Sequence, residues 1–282
     1  MTLRRKCIRY TARSPQGAGT LSRVSRQPAR PHFGFLSVSF SPVCALRCCR
    51  SWKHTRAVRD QSTPHFAALL NLREYFVGFY NDHVLPHLIN VSMRSSELLP
   101  YRKRLLAQAQ GRVLEIGIGS GLNLPHYSAH AREIVGLEPA ARLLVMARRS
   151  ARQCKIPVTL IAGCAEAIPV DAQSFDTVIT TWTLCSIGDA PGALREMRRV
   201  LKPTGQLLFV EHGLAADEKV RKWQHRLTPL WKKIGGGCHL NRPISALIES
   251  GGFDITRLET GYAKGARPMT FFYEGCASPI RS

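Results

Sequence analysis

The sequence predicts an α/β fold built on a largely parallel sheet, and three observations predict it. Short apolar segments alternate with amphipathic helical segments between residues 112 and 210. A glycine-rich turn follows the first of these strands. Two further strands close the chain with too few residues between them for a helical crossover, so they should pair antiparallel.

The predicted parallel strands cover residues 112–116, 133–137, 158–162, 175–180 and 206–210, and the closing pair covers 253–259 and 269–273. Strands that alternate with helices form parallel sheets with right-handed crossovers. We therefore predict a Rossmann-like, seven-stranded sheet with five parallel strands, a C-terminal antiparallel hairpin and helices on both faces. Helical patterns over 66–88 and 96–108 precede it, which gives N-terminal helices at 66–110 and a main domain at 111–277.

The first 65 residues are predicted to be a disordered basic leader. Residues 1–72 hold thirteen Lys or Arg and a single acid, Asp60, whereas the rest of the chain holds 27 basic and 18 acidic residues. An Arg-rich, Ser-rich and acid-poor start fits an organellar transit peptide, or upstream sequence translated from a misplaced start, which we favour. The leader could also be a basic arm that binds RNA, but it lacks the interleaved aromatic residues that base stacking uses. We therefore predict no nucleic-acid partner.

Neither the hydropathy nor the cysteines indicate a secreted or membrane-spanning protein. The sequence has no run of about 18 apolar residues, so we predict no spanning helix and allow only peripheral membrane contact. Nine cysteines occur without a CxxC pair, which favours reduced thiols and a cytoplasmic location. An organelle is the alternative if the leader is a transit peptide.

The clearest chemical signal is a glycine loop at the end of the first predicted strand. It reads Glu115-Ile-Gly117-Ile-Gly119-Ser-Gly121-Leu-Asn123. Glycines allow the backbone to turn sharply and to approach a ligand, and ligands bind at strand ends of open parallel sheets. The spacing G-x-G-x-G differs from the phosphate-binding G-x-G-x-x-G, and an acid before the glycines suits a ligand with an ammonium group.

A second candidate, Glu138, ends the next predicted strand. Its carboxylate can accept hydrogen bonds from both ribose hydroxyls of a nucleoside. Because NAD sites use an acid at a similar place, Glu138 alone leaves an NAD-linked oxidoreductase open. Glu115 and Glu138 could also be helix-end or salt-bridge residues.

Together these segments resemble the first two motifs of methyltransferases that use S-adenosylmethionine (SAM), through Val113 to Asn123 and Gly136-Leu-Glu138-Pro139. Gly163-Cys-Ala165-Glu166-Ala-Ile-Pro169 is similar to the loop along the adenine in the ubiquinone-biosynthesis group, and Thr181-Trp-Thr-Leu-Cys185-Ser to the fourth motif. The resemblance implies SAM as cofactor, with Pro139, Ala165, Glu166 and Thr181 added to its site. Cys164 stands where many relatives carry an Asp, so the Ala165 backbone is the expected adenine contact.

Later segments resemble one branch, the methyltransferase-like thiol methyltransferases of vertebrates and their bacterial relatives. They are Glu211-His212, Trp223, Pro229-Leu-Trp231 and Gly237-Cys238-His239-Leu-Asn241-Arg242, and the resemblance spans about residues 73–277. The implied function is methyl transfer to a small, apolar acceptor: a thiol, a quinone-like ring or a lipid amine. Two alternatives to a methyltransferase stay open: the NAD-linked oxidoreductase and a SAM-binding protein without catalysis.

Methyl transfer needs the acceptor held close to the methyl group, with water removed. A thiol acceptor must be a thiolate, so we hypothesise that His212 is the general base, although it could simply be hydrogen-bonded at a strand end. Cys185, Trp223, Cys238, His239, Asn241 and Arg242 are predicted to edge the acceptor pocket. Asn241 could instead cap the next helix.

We predict no metal, because adjacent Cys238 and His239 point apart and only two ligands cluster. No feature of the sequence indicates an oligomeric state.

Overall fold

The computed structural model describes residues 6–9 and 78–280. Its strands are β1 (Lys6–Arg9), β2 (Gly111–Ile116), β3 (Ala131–Glu138), β4 (Val158–Ala162), β5 (Phe175–Thr181), β6 (Leu201–His212), β7 (Phe253–Tyr262) and β8 (Phe271–Pro279). Its α-helices are α1 (Leu85–Ser92), α2 (Leu99–Leu106), α3 (Ala141–Ala151), α4 (Ala190–Val200), α5 (Glu218–Ile234) and α6 (Ile244–Ser250). A π-helical turn, Tyr80–Val84, leads into α1, and short 3-10 turns lie at Leu124–His126 and Arg267–Met269.

The strands form one sheet in the order β1-β7-β8-β6-β5-β2-β3-β4. Strands β2 to β6 are mutually parallel, which confirms the predicted parallel core. Strand β8 lies between β6 and β7 and is antiparallel to both, so β7 runs in the same direction as the parallel five. The strand order reverses between β2 and β5, and the carboxyl ends of these strands form the crevice where ligands bind in such sheets.

An eighth strand extends the predicted seven. Strand β1 pairs antiparallel with the outer edge of β7, although the leader sequence shows no strand periodicity. An edge strand leaves a row of N–H and C=O groups open to pairing, and a short extended segment such as Lys6–Arg9 satisfies them. The rest of the predicted leader, and residues 66–77 of the first predicted helix, lie outside the described residues.

Alternate residues of the strands face two separate layers. In β2, Val113 packs with the layer under α2 and α3, whereas Leu114 packs with the layer under α4 and α6. Ile179 and Val178 divide in the same way along β5. All four side chains are fully buried. The sheet is therefore covered on both faces, as predicted, and its strand ends are free to form a site.

Several element boundaries differ from the predicted ones. Strand β8 begins at Phe271, because Met269 belongs to a 3-10 turn that contains Pro268. Helix α2 begins three residues later than predicted, with a proline in its first turn, where the missing N–H is tolerated. Among the helices of residues 78–280, none is long and apolar enough to cross a membrane.

Candidate active site

A large cavity lies at the carboxyl ends of β2, β3, β5 and β6. Its volume is about 1380 Å³, and it is closed on one side by residues of α1 such as Leu85 and Ile89. Asn90 of α1 accepts a hydrogen bond from the Ser120 hydroxyl at 2.7 Å, which ties this helix to the glycine loop. Helix α1 therefore covers one side of this cavity.

The glycine loop needs its three glycines for different reasons. All three have φ values between 59° and 80°, a region that side chains rarely adopt. A Cβ at Gly117 would lie 2.5 Å from Thr183 Cγ2, whereas a Cβ at Gly119 would have 3.9 Å of clearance. Gly117 and Gly119 line the cavity, but Gly121 does not, since it packs against Ser150. Gly121 therefore shapes the loop and lies outside the cavity lining.

Glu138 and Pro139 line the cavity next to this loop. The Glu138 carboxylate is 5% exposed and accepts hydrogen bonds from the backbone N–H groups of Gly119 (3.0 Å) and Ala140 (2.9 Å). Burial raises the pKa of Glu138, and these two backbone hydrogen bonds oppose the shift. Glu138 thus holds the glycine loop in place and presents a carboxylate to the cavity.

Glu115 is the centre of a buried network. It accepts hydrogen bonds from Asn123 Nδ2 and from the Tyr127 hydroxyl, both at 2.7 Å. Asn123 Nδ2 also donates to Thr181 Oγ1 at 3.1 Å, and its Oδ1 accepts a hydrogen bond from Arg102. Glu115, Asn123 and Thr181, which were all predicted to bind the cofactor, line the cavity. The network fixes a carboxylate where a ligand's ammonium group could meet it.

Arg102 and Tyr127 belong to this region but were not predicted. The Arg102 guanidinium lies 4.8 Å from the Trp182 ring centroid and donates to Met93 O at 3.1 Å. Trp182 has a left-handed φ of 51°, a strain found at functional sites. Its buried indole N–H has no partner among the described residues. Arg102 shares a helix face with the apolar Leu105, a spacing that could have indicated its burial.

The pKa of Glu115 makes the network testable. Burial raises this pKa to about 7, and the hydrogen bonds from Tyr127 and Asn123 oppose the shift. A bound ammonium group would favour the carboxylate and lower the pKa again. Below pH 7, binding must therefore release a proton. We expect SAM affinity to rise about fivefold to tenfold from about pH 6 to about pH 7.5 and then to level off.

Calorimetric titration of SAM across this pH range, in buffers of different ionisation enthalpy, measures both the affinity and the released proton. The Glu115→Gln variant is the control, and we expect weaker binding with no pH dependence in this range. An equally steep pH dependence in this variant would assign the proton to another group.

The loop predicted to follow the adenine also borders the cavity. Ala165 and Glu166 line the cavity, Ala165 being buried and Glu166 exposed. Cys164 also lines the cavity and is disulfide-bonded, which departs from the expectation of reduced thiols. The four cysteines Cys154, Cys185, Cys238 and Cys276 are free.

At the other end of the cavity, Cys185, His212 and Cys238 form a buried cluster. His212 ends β6, Cys185 follows β5, and Cys238 follows the glycine turn at the end of α5. Cys238 Sγ lies 3.2 Å from His212 Nε2. A hydrogen bond with Cys238, and then burial, raises the pKa of Cys185 well above its usual range, whereas the same pairing lowers that of Cys238.

The pKa of His212 reflects this cluster. Burial alone would lower it, but the Cys185 thiol raises it, and the net direction is upward. Its Nε2 already faces Cys238 Sγ. A general base at His212 would have to give up this contact in order to take a proton from an acceptor.

Four residues predicted to edge the acceptor pocket lie outside the cavity lining. Trp223 is 55% exposed, because the buried stripe of α5 runs through Val220, Gln224 and Thr228. His239 Nδ1 contacts Cys185 O at 3.1 Å. The other two are Asn241 and Arg242.

Asn241 and Arg242 are structural residues here. Asn241 Oδ1 accepts from the Thr228 hydroxyl at 3.2 Å. Its proposed helix cap is absent because Pro243 occupies the N-cap position of α6. Arg242 donates to Leu184 O, and at 2.8 Å to Ile187 O, so its charge supports the loop that carries Cys185.

The chain resembles known proteins over the part that forms this site. Residues 114–209 match the model of the methyltransferase domain family. A thiol S-methyltransferase of rat, TMT1B, is 32% identical over 151 residues, which cover 52% of this chain and 62% of that protein. The human TMT1B is 28% identical over 207 residues, covering 69% of this chain and 84% of that protein.

The fold is also similar to that of solved methyltransferase structures. A SAM-dependent methyltransferase structure from Methanosarcina mazei superposes with a TM-score of 0.52 and 20% identity, over 64% of this chain and 97% of that one. The sheet with an inserted antiparallel strand and the glycine loop at its switch point have the Rossmann-like fold of class I methyltransferases. Residues 114–209 therefore form a methyltransferase domain, and the fold around them is that of a SAM-dependent methyltransferase structure. The domain match favours a methyltransferase over the NAD-linked alternative.

Proposed function

We propose that this chain methylates the sulfur of small, apolar thiols. The observation that carries the proposal is the buried cluster of Cys185, His212 and Cys238, which lies in the same cavity as the SAM loop residues. The likeness to the rat and human thiol S-methyltransferases supports it.

The lining of the cavity between these two ends suits an apolar acceptor. Trp182, Trp231, Leu240 and Phe272 line it, and Phe272 packs edge-on against Trp182 with ring centroids 5.8 Å apart. Aromatic walls favour flat apolar ligands and exclude water. Such a site raises the rate chiefly by holding the acceptor sulfur in line with the methyl group.

The residues divide the work along the cavity. Gly117, Gly119, Asn123 and Glu138, with Glu115 behind them, hold SAM at one end. The backbone of Ala165, beside Glu166, lies along the adenine. At the other end the cluster meets the acceptor sulfur. A free thiol has a pKa near 8.5, so stabilising its thiolate is the main chemical demand on the protein. His212 takes part in that step.

A panel of matched acceptors tests the proposal. We expect a small aromatic thiol to be methylated with kcat/KM about 100-fold or more above that of the phenol and the aniline of the same skeleton, because the weakly basic site favours the acceptor that ionises most readily. Product is measured by mass spectrometry with deuterated-methyl SAM. Preferred methylation of a hydroquinone, or of the amine of phosphatidylethanolamine, would reassign the acceptor class.

The remaining expectations stay predictions. They are a cytoplasmic location, with an organelle as the alternative, peripheral membrane contact and the lack of a nucleic-acid partner. Fractionation of the native host, with an intact-mass spectrum of the purified chain, checks the location and the fate of residues 1–65.

A further inference from the structure

The cluster of Cys185, His212 and Cys238 has the composition of a metal site. Each residue offers one ligand atom, namely two Sγ and one imidazole nitrogen, and these atoms all lie within 4.8 Å of one another. The three residues are at most 9% exposed. The expectation that only two ligands would cluster was therefore wrong, because the fold adds Cys185 to Cys238 and replaces His239 by His212.

The backbone around the cluster is well fixed. His212 ends β6 and lies opposite Phe272 in the β6–β8 register. The Cys185 carbonyl accepts the His239 N–H at 2.8 Å. Two glycines with positive φ, Gly236 and Gly237, turn the chain so that Cys238 enters the cavity wall. Three separate elements thus present their ligands from fixed positions.

The ligand set selects the metal. Thiolate and imidazole ligands suit zinc, and zinc with two Cys, one His and an open position is an arrangement found in catalytic sites. Ligand atoms about 2.3 Å from a tetrahedral zinc lie about 3.7 Å apart, so the cluster would contract by about 1 Å at most, within reach of cysteine side-chain rotation. Two thiolates also neutralise the charge of a zinc ion.

We propose that Cys185, His212 and Cys238 bind one Zn²⁺, whose open fourth position faces the cavity and takes the sulfur of the acceptor. All three residues line the cavity, so a metal held by them borders the space left for the acceptor. His212 is then a ligand through Nε2, which replaces the general-base hypothesis. Arg242 donates to Leu184 O and Ile187 O, on either side of Cys185, and its charge compensates added negative charge in the cluster.

This inference rests on the proposed thiol substrate and gives it a chemical step. The acceptor thiol binds zinc and loses its proton to solvent, because a metal-bound thiol is deprotonated. The thiolate sulfur then forms a bond to the methyl carbon of SAM as the carbon–sulfonium bond breaks, and its electrons remain on the sulfur of S-adenosylhomocysteine. The thioether product has no charge and is a weak zinc ligand, so it leaves.

The test is the metal content of the full chain, purified without chelator. We expect about one zinc per chain by inductively coupled plasma mass spectrometry, and cobalt substitution should give the visible absorption of tetrahedral thiolate coordination. The variants Cys185→Ser, Cys238→Ser and His212→Asn should each lose at least about tenfold in zinc affinity. Cys276→Ser, which changes a free cysteine outside the cluster, should keep the metal.

SAM titration of each variant separates metal loss from unfolding, since the SAM loop lies at the other end of the cavity. Variants that bind SAM normally and lack zinc support the proposal. A wild-type chain that binds SAM but takes up neither zinc nor cobalt overturns it, as does zinc that all three cluster variants retain. Zinc in the cluster without thiol methylation would overturn the proposed function and leave the metal site standing.

Discussion

Replacement of Gly119 by Arg is expected to weaken SAM binding at least about 100-fold while the fold is kept. The residue has a φ of 59° and lines the cavity, and a Cβ there would be 3.9 Å from the nearest atom, Gly117 O. The variant therefore avoids a steric clash with the core but places a long charged side chain where the cofactor binds. Calorimetric titration with SAM and S-adenosylhomocysteine measures the loss.

Gly119→Ala is the matched control. It carries the same backbone strain, worth about 1 kcal/mol, but leaves the cavity open. We expect it to bind SAM within about tenfold of the wild type, with both variants giving a native far-ultraviolet circular dichroism spectrum. Normal SAM binding by a folded Gly119→Arg variant would place the cofactor elsewhere.

Loss of the Glu138 carboxylate is the second large effect we expect. In Glu138→Ala the N–H groups of Gly119 and Ala140 lose their buried acceptor, and each unsatisfied group costs about 1–3 kcal/mol. The glycine loop would loosen, and the acceptor for ribose hydroxyls would be missing. We expect SAM affinity to fall about 10- to 100-fold, again by titration.

Glu133→Ala serves as the control, because Glu133 lies on the same strand and forms a surface ion pair with Arg112 at 3.0 Å. Surface pairs contribute little, so this variant should bind SAM as the wild type does. Equal losses in both variants would mean that the effect at Glu138 is one of strand stability and not of binding.

The fold could be predicted because its signals are local. The alternation of apolar strands with helices gave the parallel core, and the short final connection gave the antiparallel β7–β8 pair. The position of β8 between β6 and β7 has no local signal, since it depends on which edges remain open. The pairing of Lys6–Arg9 with β7 is equally non-local.

The cofactor end of the site could also be predicted, because Glu115 to Asn123 and Glu138 follow directly from the strands that place them. The acceptor end could not. Cys185, His212 and Cys238 come from three elements that meet only in the folded chain. The position of Trp223 was predicted wrongly because one Trp does not show which face of an amphipathic helix is buried. In α5 the buried face runs through Val220, Gln224 and Thr228 and leaves Trp223 exposed.

Methyl transfer from SAM to a thiol within this cavity can be assayed directly. The full chain is incubated with deuterated-methyl SAM and a small aromatic thiol, with Gly119→Arg alongside. We expect a deuterated methyl thioether and an equal amount of S-adenosylhomocysteine from the wild type, and neither above background from the variant. A folded wild-type chain that binds SAM and thiol but forms no thioether would contradict it.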